Sequence, residues 1–108
     1  MDILNETVNF ELKNQADKLV KLSDFLGKNV VVYFYPKDDT PGCTKEAQGF
    51  SELKDQFLAL NTVIIGISKD SVKKHQSFCS KHDLNITLLS DPDIIVQKQF
   101  DVWKEKSM

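Results

Sequence analysis

An α/β fold, with a mostly parallel central sheet flanked by helices, is what three features of this 108-residue sequence predict. Two runs, NVVVYFY at 29–35 and TVIIGIS at 62–68, are almost wholly apolar and rich in β-branched and aromatic residues, the composition of strands buried on both faces. Each is followed by a segment whose apolar residues recur every three or four positions. The resulting order of strand, strand, strand, helix, strand, helix, strand, helix is that of an alternating α/β sheet. Right-handed crossovers then gather the loops that follow the buried strands along one edge, where sites in such folds sit.

Residues 8–12 alternate apolar and polar side chains, and the polar link KNQAD leads to a second short strand at 19–22; the two are expected to pair as a hairpin. In SDFLGKN, Ser23 is an N-cap candidate for one helical turn that Gly27 stops. NVVVYFY ends at Pro36 and a loop. From Thr44 onward Ala47, Phe50, Leu53 and Phe57 mark the apolar face of a helix that begins at or near Cys43. After TVIIGIS, Asp70 is a candidate cap for a helix over 71–82, with Val72 and Phe78 inside. ITLLSDPD reads as a short strand entering a turn, and DIIVQKQF as a last short helix. No repeat, low-complexity tract or Gly/Ser linker breaks the chain, so a single domain over 1–108 is expected.

Apolar residues at 41% and charged residues at 28% match an ordinary globular protein and argue against disorder. No stretch approaches the roughly 18 uninterrupted apolar residues of a membrane span, and MDILNETVNF lacks the basic start of a signal peptide. A cytoplasmic location follows as the expectation. The 14 basic residues are scattered among 16 acidic ones, which leaves no basic stripe for nucleic acid. Two cysteines, Cys43 and Cys79, without an export signal suit thiols in reducing surroundings better than a disulfide scaffold. Taken alone, both read equally well as buried, inert side chains.

The loop YFYPKDDTPGCT changes that balance. A thiol is a good nucleophile only as thiolate, and an ordinary one is about 3% ionised at neutral pH. Bringing a thiol from about 8.5 down to about 6 requires roughly 3.4 kcal/mol of preferential stabilisation of the anion. The unpaired N–H groups and positive dipole end of a helix N-terminus supply part of it, and Cys43 is placed to receive both. Thr40, three residues earlier, carries a hydroxyl that can accept one hydrogen bond and donate another. Pro36 and Pro41 fix the backbone on either side, and Gly42 allows close approach of a bound molecule. DDTPG by itself also reads as a simple Pro/Gly turn with a capping threonine.

The segment YFYPKDDTPGCTKEA resembles the catalytic loop of the peroxiredoxins, specifically their bacterioferritin-comigratory (Q-type) subfamily. The similarity extends over VKLSDFLGKNVVVYFYPKDDTPGCT, IIGISKDSVKKHQSFCSKHDL, LLSDPD and VWKEKSM. It implies a thioredoxin-like fold and a thiol-dependent peroxidase in which Cys43 attacks hydrogen peroxide or a small alkyl hydroperoxide, giving sulfenic acid. It further implies that Thr40 holds the peroxide oxygens, Pro36 shields the thiolate, the Gly42 and Cys43 amides contact substrate, and Glu46, on the first helical turn, orients an arginine. No metal or organic cofactor is called for. The implied reductant is thioredoxin or glutaredoxin, the role antioxidant, and the assembly a monomer or weak homodimer.

Two departures from the family pattern stand out. The position five residues after Cys43, where many relatives have a resolving cysteine, is Gln48; Cys79 falls where another branch of the subfamily places its own. In a helix starting near Ser71, Cys79 lies about 12 Å along the axis, whereas a disulfide needs Cα atoms within about 7 Å. The two sulfurs are therefore expected to be apart until a helix locally unwinds. Second, the sequence has no arginine, and the family's arginine, last strand pair and closing helix lie beyond where this similarity stops. A C-terminally truncated chain is the expectation, with a catalytically weak fragment as one alternative. Another is a metal-binding module using His75, Cys79 and His82, at i, i+4 and i+7 of one helix. A disulfide reductase is disfavoured, since position 46 is Glu and no Cys-x-x-Cys pair exists.

Overall fold

The computed structural model describes residues 10–99. Five strands, β1 (Glu11–Asn14), β2 (Leu19–Lys21), β3 (Asn29–Phe34), β4 (Thr62–Ser68) and β5 (Thr87–Ser90), form one sheet in the order β2-β1-β5-β4-β3. The helices are α1 (Pro41–Ala59), α2 (Val72–His82) and α3 (Ile95–Gln99). β3, β4 and β5 are parallel, with Val31 opposite Ile64 and Gly66 opposite Leu88. The β1–β2 hairpin joins antiparallel, Lys13 facing Ser90, so the sheet is mixed, with the parallel strands at its functional end. The beginning of the predicted first strand and the segment VWKEKSM lie outside the described residues.

β3, β4 and β5 follow one another across the sheet, so two right-handed crossovers put α1 and α2 on the same face. The period-two alternation of a strand then divides the core. Ile64, Leu88, Tyr33 and Tyr35 point toward α1 and α2 and meet Ala47, Phe50, Phe57 and Phe78. Ile65, Ile67 and Leu89 point the other way and meet Phe10, Val96 of α3 and Phe25. Ile65, Ile67, Leu88 and Leu89 are completely enclosed, each worth roughly 1.5–3 kcal/mol of apolar burial. Gly66 belongs to this packing: a Cβ there lies 2.8 Å from Cζ and Oη of Tyr33 and 2.9 Å from Cδ2 of Leu88, so only glycine lets the phenol close over β4.

Three sequence expectations change in detail. Ser23 is inside the short 3-10 turn Leu22–Phe25, which starts after Lys21; the Asp24 carboxylate accepts the Lys21 N–H instead, and Gly27 ends the turn at φ 85°. Ser71, not Asp70, caps α2, its Oγ accepting from Lys74 N at 3.2 Å. Leu53 is exposed, because at 100° per residue it lies about 120° round the helix from Ala47.

Candidate active site

The site is built where β3 ends and α1 begins. Thr40 is the N-cap of α1, in extended conformation, and Pro41 takes the first helical position, where its missing N–H costs nothing. Gly42 and Cys43 follow as the second and third residues of the helix. Thr40 does not use its side chain as a cap; its hydroxyl donates to the carbonyl of Lys37 at 3.2 Å, and its backbone carbonyl accepts from Thr44. The Gly42 and Cys43 amides thus have no partner within the helix and no side-chain cap, and the first turn carries no acidic residue to compete for an anion. Cys43 is a half-buried free thiol packed on the α1/α2 side of the core. Pro36 is exposed on the loop, and Glu46 is exposed on the second turn of α1, not the first.

Cys79, on the last turn but one of α2, is the other free thiol and packs against the same apolar cluster as Cys43. Burial pushes its thiol up to about 11, with the negative charge of Asp38 adding to the effect. At neutral pH it is a protonated, unreactive group in this conformation. Burial first, then the nearby carboxylates of Glu46 and Asp38, keep the Tyr33 phenol protonated. Its ring stacks on Phe50 with centroids 4.6 Å apart, and its buried hydroxyl has no hydrogen-bond partner among the described residues.

Beneath the loop is a buried polar network that sequence reasoning missed. Tyr35 Oη donates to Asp38 Oδ1 at 2.5 Å, and His75 Nδ1 lies 2.6 Å from Asp38 Oδ2. His75 Nε2 lies 3.1 Å from the carbonyl oxygen of Leu89. A carbonyl only accepts, so Nε2 of His75 carries a proton toward Leu89, while Nδ1 shares a short hydrogen bond with the Asp38 carboxyl group. The Asp38 amide donates to Asp70 Oδ2 at 2.7 Å, Ser68 Oγ donates to the same oxygen at 2.8 Å, and Ser90 Oγ donates to the Asp70 carbonyl. The ends of β3, β4 and β5 are therefore tied to one another beneath the loop that leads into α1. Outside this network, Asp39 receives Lys81 Nζ and His82 Nε2, each at 2.7 Å, and these two donors lower its carboxyl below the usual range.

The helical metal triad is not assembled. Both nitrogens of His75 are engaged by Asp38 and Leu89, and His82 is turned to Asp39; among the described residues the grouping close enough for a cation is Asp38, Asp70 and His75, whose polar atoms are already mutually bonded. A cavity of about 520 Å³ opens beside the loop, lined by Lys37, Asp38, Asp39 and one side of α2, and Cys43 is not part of its wall. Among the described residues no helix is long and apolar enough to cross a membrane.

Residues 3–108 match the AhpC/TSA family. The chain is 50% identical over 106 residues to a protein named putative peroxiredoxin bcp from Haemophilus influenzae, covering 98% of this chain and 68% of that protein. To peroxiredoxin Bcp of Bacillus subtilis it is 47% identical with the same coverage. A crystal structure of a cysteine-to-serine mutant of Xylella fastidiosa PrxQ superposes with a TM-score of 0.91 at 44% identity, covering 99% of this chain and 68% of that one. Xanthomonas campestris peroxiredoxin Q superposes at 0.87 with 40% identity, covering 92% and 63%; two of its mutants replace cysteines as far apart along the chain as Cys43 and Cys79. The chain spans about two thirds of the length of these relatives. It belongs to the AhpC/TSA family and, within it, to the Bcp/Q-type peroxiredoxins, thiol-dependent peroxidases of thioredoxin-like fold that reduce peroxides with electrons from thioredoxin-type reductants.

Proposed function

We propose that Cys43 is the peroxidatic residue and Cys79 the resolving one. The observation that carries the first assignment is the uncapped, acid-free opening of α1, with Cys43 as its third residue and Thr40 at its cap. The Cys43 thiolate attacks the terminal oxygen of hydrogen peroxide or an alkyl hydroperoxide. The S–O bond forms as the O–O bond breaks, and the departing hydroxide or alkoxide leaves as water or alcohol once protonated. The Gly42 and Cys43 amides point their polarity at the oxygen on which charge develops, the Thr40 hydroxyl exchanges its bond to Lys37 O for one to the peroxide, Pro36 limits water at the sulfur, and Glu46 acts from behind these groups.

Cys79 then attacks the Cys43 sulfenic acid as thiolate; the S–S bond forms as the S–O bond breaks, and the hydroxide expelled takes up a proton to leave as water, closing a disulfide that a dithiol protein such as thioredoxin or glutaredoxin reopens. Since Cys79 is protonated while packed in the core, this step follows local opening of α2, α1 or both. The acting form is a cytoplasmic monomer or weak homodimer.

The test is peroxide consumption by the full-length protein with thioredoxin and its reductase. Cys43→Ser is expected to abolish turnover. Peptide mapping after one equivalent of peroxide is expected to recover Cys43 linked to Cys79; recovery of Cys43 only as sulfenic acid or in a mixed disulfide removes Cys79 from the cycle.

A further inference from the structure

Two adjacent aspartates of the catalytic loop grip α2 on either side of Cys79. Asp38 holds His75, four residues before Cys79, and Asp39 holds Lys81 and His82, two and three residues after it. The grips differ in kind. His75 is fully enclosed and bonded on its far side to Leu89 of β5, so the N-terminal half of α2 is fixed to the sheet. Asp39 and Lys81 are largely exposed, in the range where ion pairs are weak and open readily. The last turn of α2 also depends on Cys79 itself, whose carbonyl accepts the Asp83 and Leu84 amides that end the helix. Asp39 has a left-handed backbone, φ 63°, and is joined directly to Thr40, the cap of α1.

We propose that Asp39 is a positioning residue for the resolving step: it pins the C-terminal turn of α2 to the catalytic loop, and its release frees Cys79 to reach Cys43. This rests on the assignment of Cys79 made above. Unwinding the first turn of α1 around oxidised Cys43 displaces Thr40 and Asp39, which lets go of Lys81 and His82. α2 then frays back through Cys79 to the firm anchor at His75. The peroxidatic loop and the resolving helix are thereby coupled through one carboxylate.

The test measures opening at Cys79 independently of catalysis. In full-length Cys43→Ser protein, Cys79 is labelled with a neutral maleimide under native conditions. Asp39→Asn keeps a residue that tolerates the left-handed turn and removes the charge; Asp39→Gly keeps the turn and removes the whole group. Both are expected to raise the labelling rate about 2- to 5-fold, with His82→Gln having a similar effect that is not additive with Asp39→Asn. Amide exchange in β4 is expected to stay unchanged, which separates local release from general loss of stability. With Cys43 present, Asp39→Asn is expected to speed Cys43–Cys79 disulfide formation after peroxide by the same factor. Labelling unaffected by either Asp39 variant, or raised only in step with β4 exchange, overturns the proposal. So does a Cys43–Cys79 disulfide whose rate ignores Asp39. If labelling rises but no such disulfide forms in any variant, the resolving role of Cys79 falls, and the part given to Asp39 in the reaction falls with it.

Discussion

Nδ1 of His75, from the middle of α2, stands 2.6 Å from Oδ2 of Asp38 in the loop that precedes α1, and neither side chain is open to water. This pair fixes the loop to the helix that carries the second thiol. Asp38→Asn replaces one carboxyl oxygen by an amide nitrogen and leaves the enclosed polar groups of Tyr35 and His75 with a mismatched partner. Leaving a buried polar group without its partner costs about 1–3 kcal/mol. Urea denaturation is expected to show that loss as a lower midpoint; a change under about 1 kcal/mol is incompatible with the pair anchoring loop to helix.

Tyr33 and Gly66 make a paired prediction. The Tyr33 hydroxyl is buried without a partner among the described residues, so Tyr33→Phe removes an unfavourable group and is expected to be neutral or to stabilise by up to about 1 kcal/mol. Gly66→Ala forces a methyl against the Tyr33 ring and Leu88, and is expected to destabilise by about 1–3 kcal/mol. Equilibrium unfolding of the two variants decides both signs.

The Cys79 thiol gives the alkaline limb of stability a definite direction. Its pKa is pushed from 9.0 in a free thiol to about 11 in the fold, so between these values the unfolded chain has released a proton that the folded chain keeps. Stability from this group is therefore complete below pH 9 and declines as pH rises toward about 11. Cys79→Ala is expected to flatten the profile in that window, measured by urea midpoints at pH 8, 9, 10 and 11. The two buried tyrosines, whose phenols are also held protonated, account for what decline remains at the upper end.

Thr40→Val tests the loop chemistry without disturbing the frame. The hydroxyl makes one bond, to Lys37 O in an exposed turn, so stability is expected to hold within about 0.5 kcal/mol. If the hydroxyl meets the peroxide, kcat/KM for hydrogen peroxide is expected to fall about 100-fold. Stopped-flow measurement of sulfenic acid formation reads this directly; an unchanged rate leaves the Thr40 hydroxyl only its bond to Lys37 O.

Much of this molecule is visible in local patterns. TVIIGIS coincides with β4 residue for residue, because an unbroken β-branched run has no favourable state other than a strand covered on both sides. The spacing of Ala47, Phe50 and Phe57 marks α1, and the Pro-rich loop before Cys43 marks where it starts. These are consequences of period and of fixed backbone torsions, which act over a few residues.

Other features depend on what the chain brings together. Asp70 and Ser71 are equally good helix caps by type; Ser71 is used because the Asp70 carboxylate is taken by the Asp38 amide and Ser68 Oγ, groups from other segments of the chain. KKHQSFCSKHD reads as a wet helix side holding one buried thiol, yet His75 is enclosed, since the Asp38 carboxylate and the Leu89 carbonyl supply acceptors on both sides of its ring. The sequence by itself determined the strands, the helices and the loop that presents Cys43, since these follow from torsional preference and apolar period. Only the tertiary structure decided which polar groups are paired inside, because a buried charge is stable only where distant segments deliver its partner.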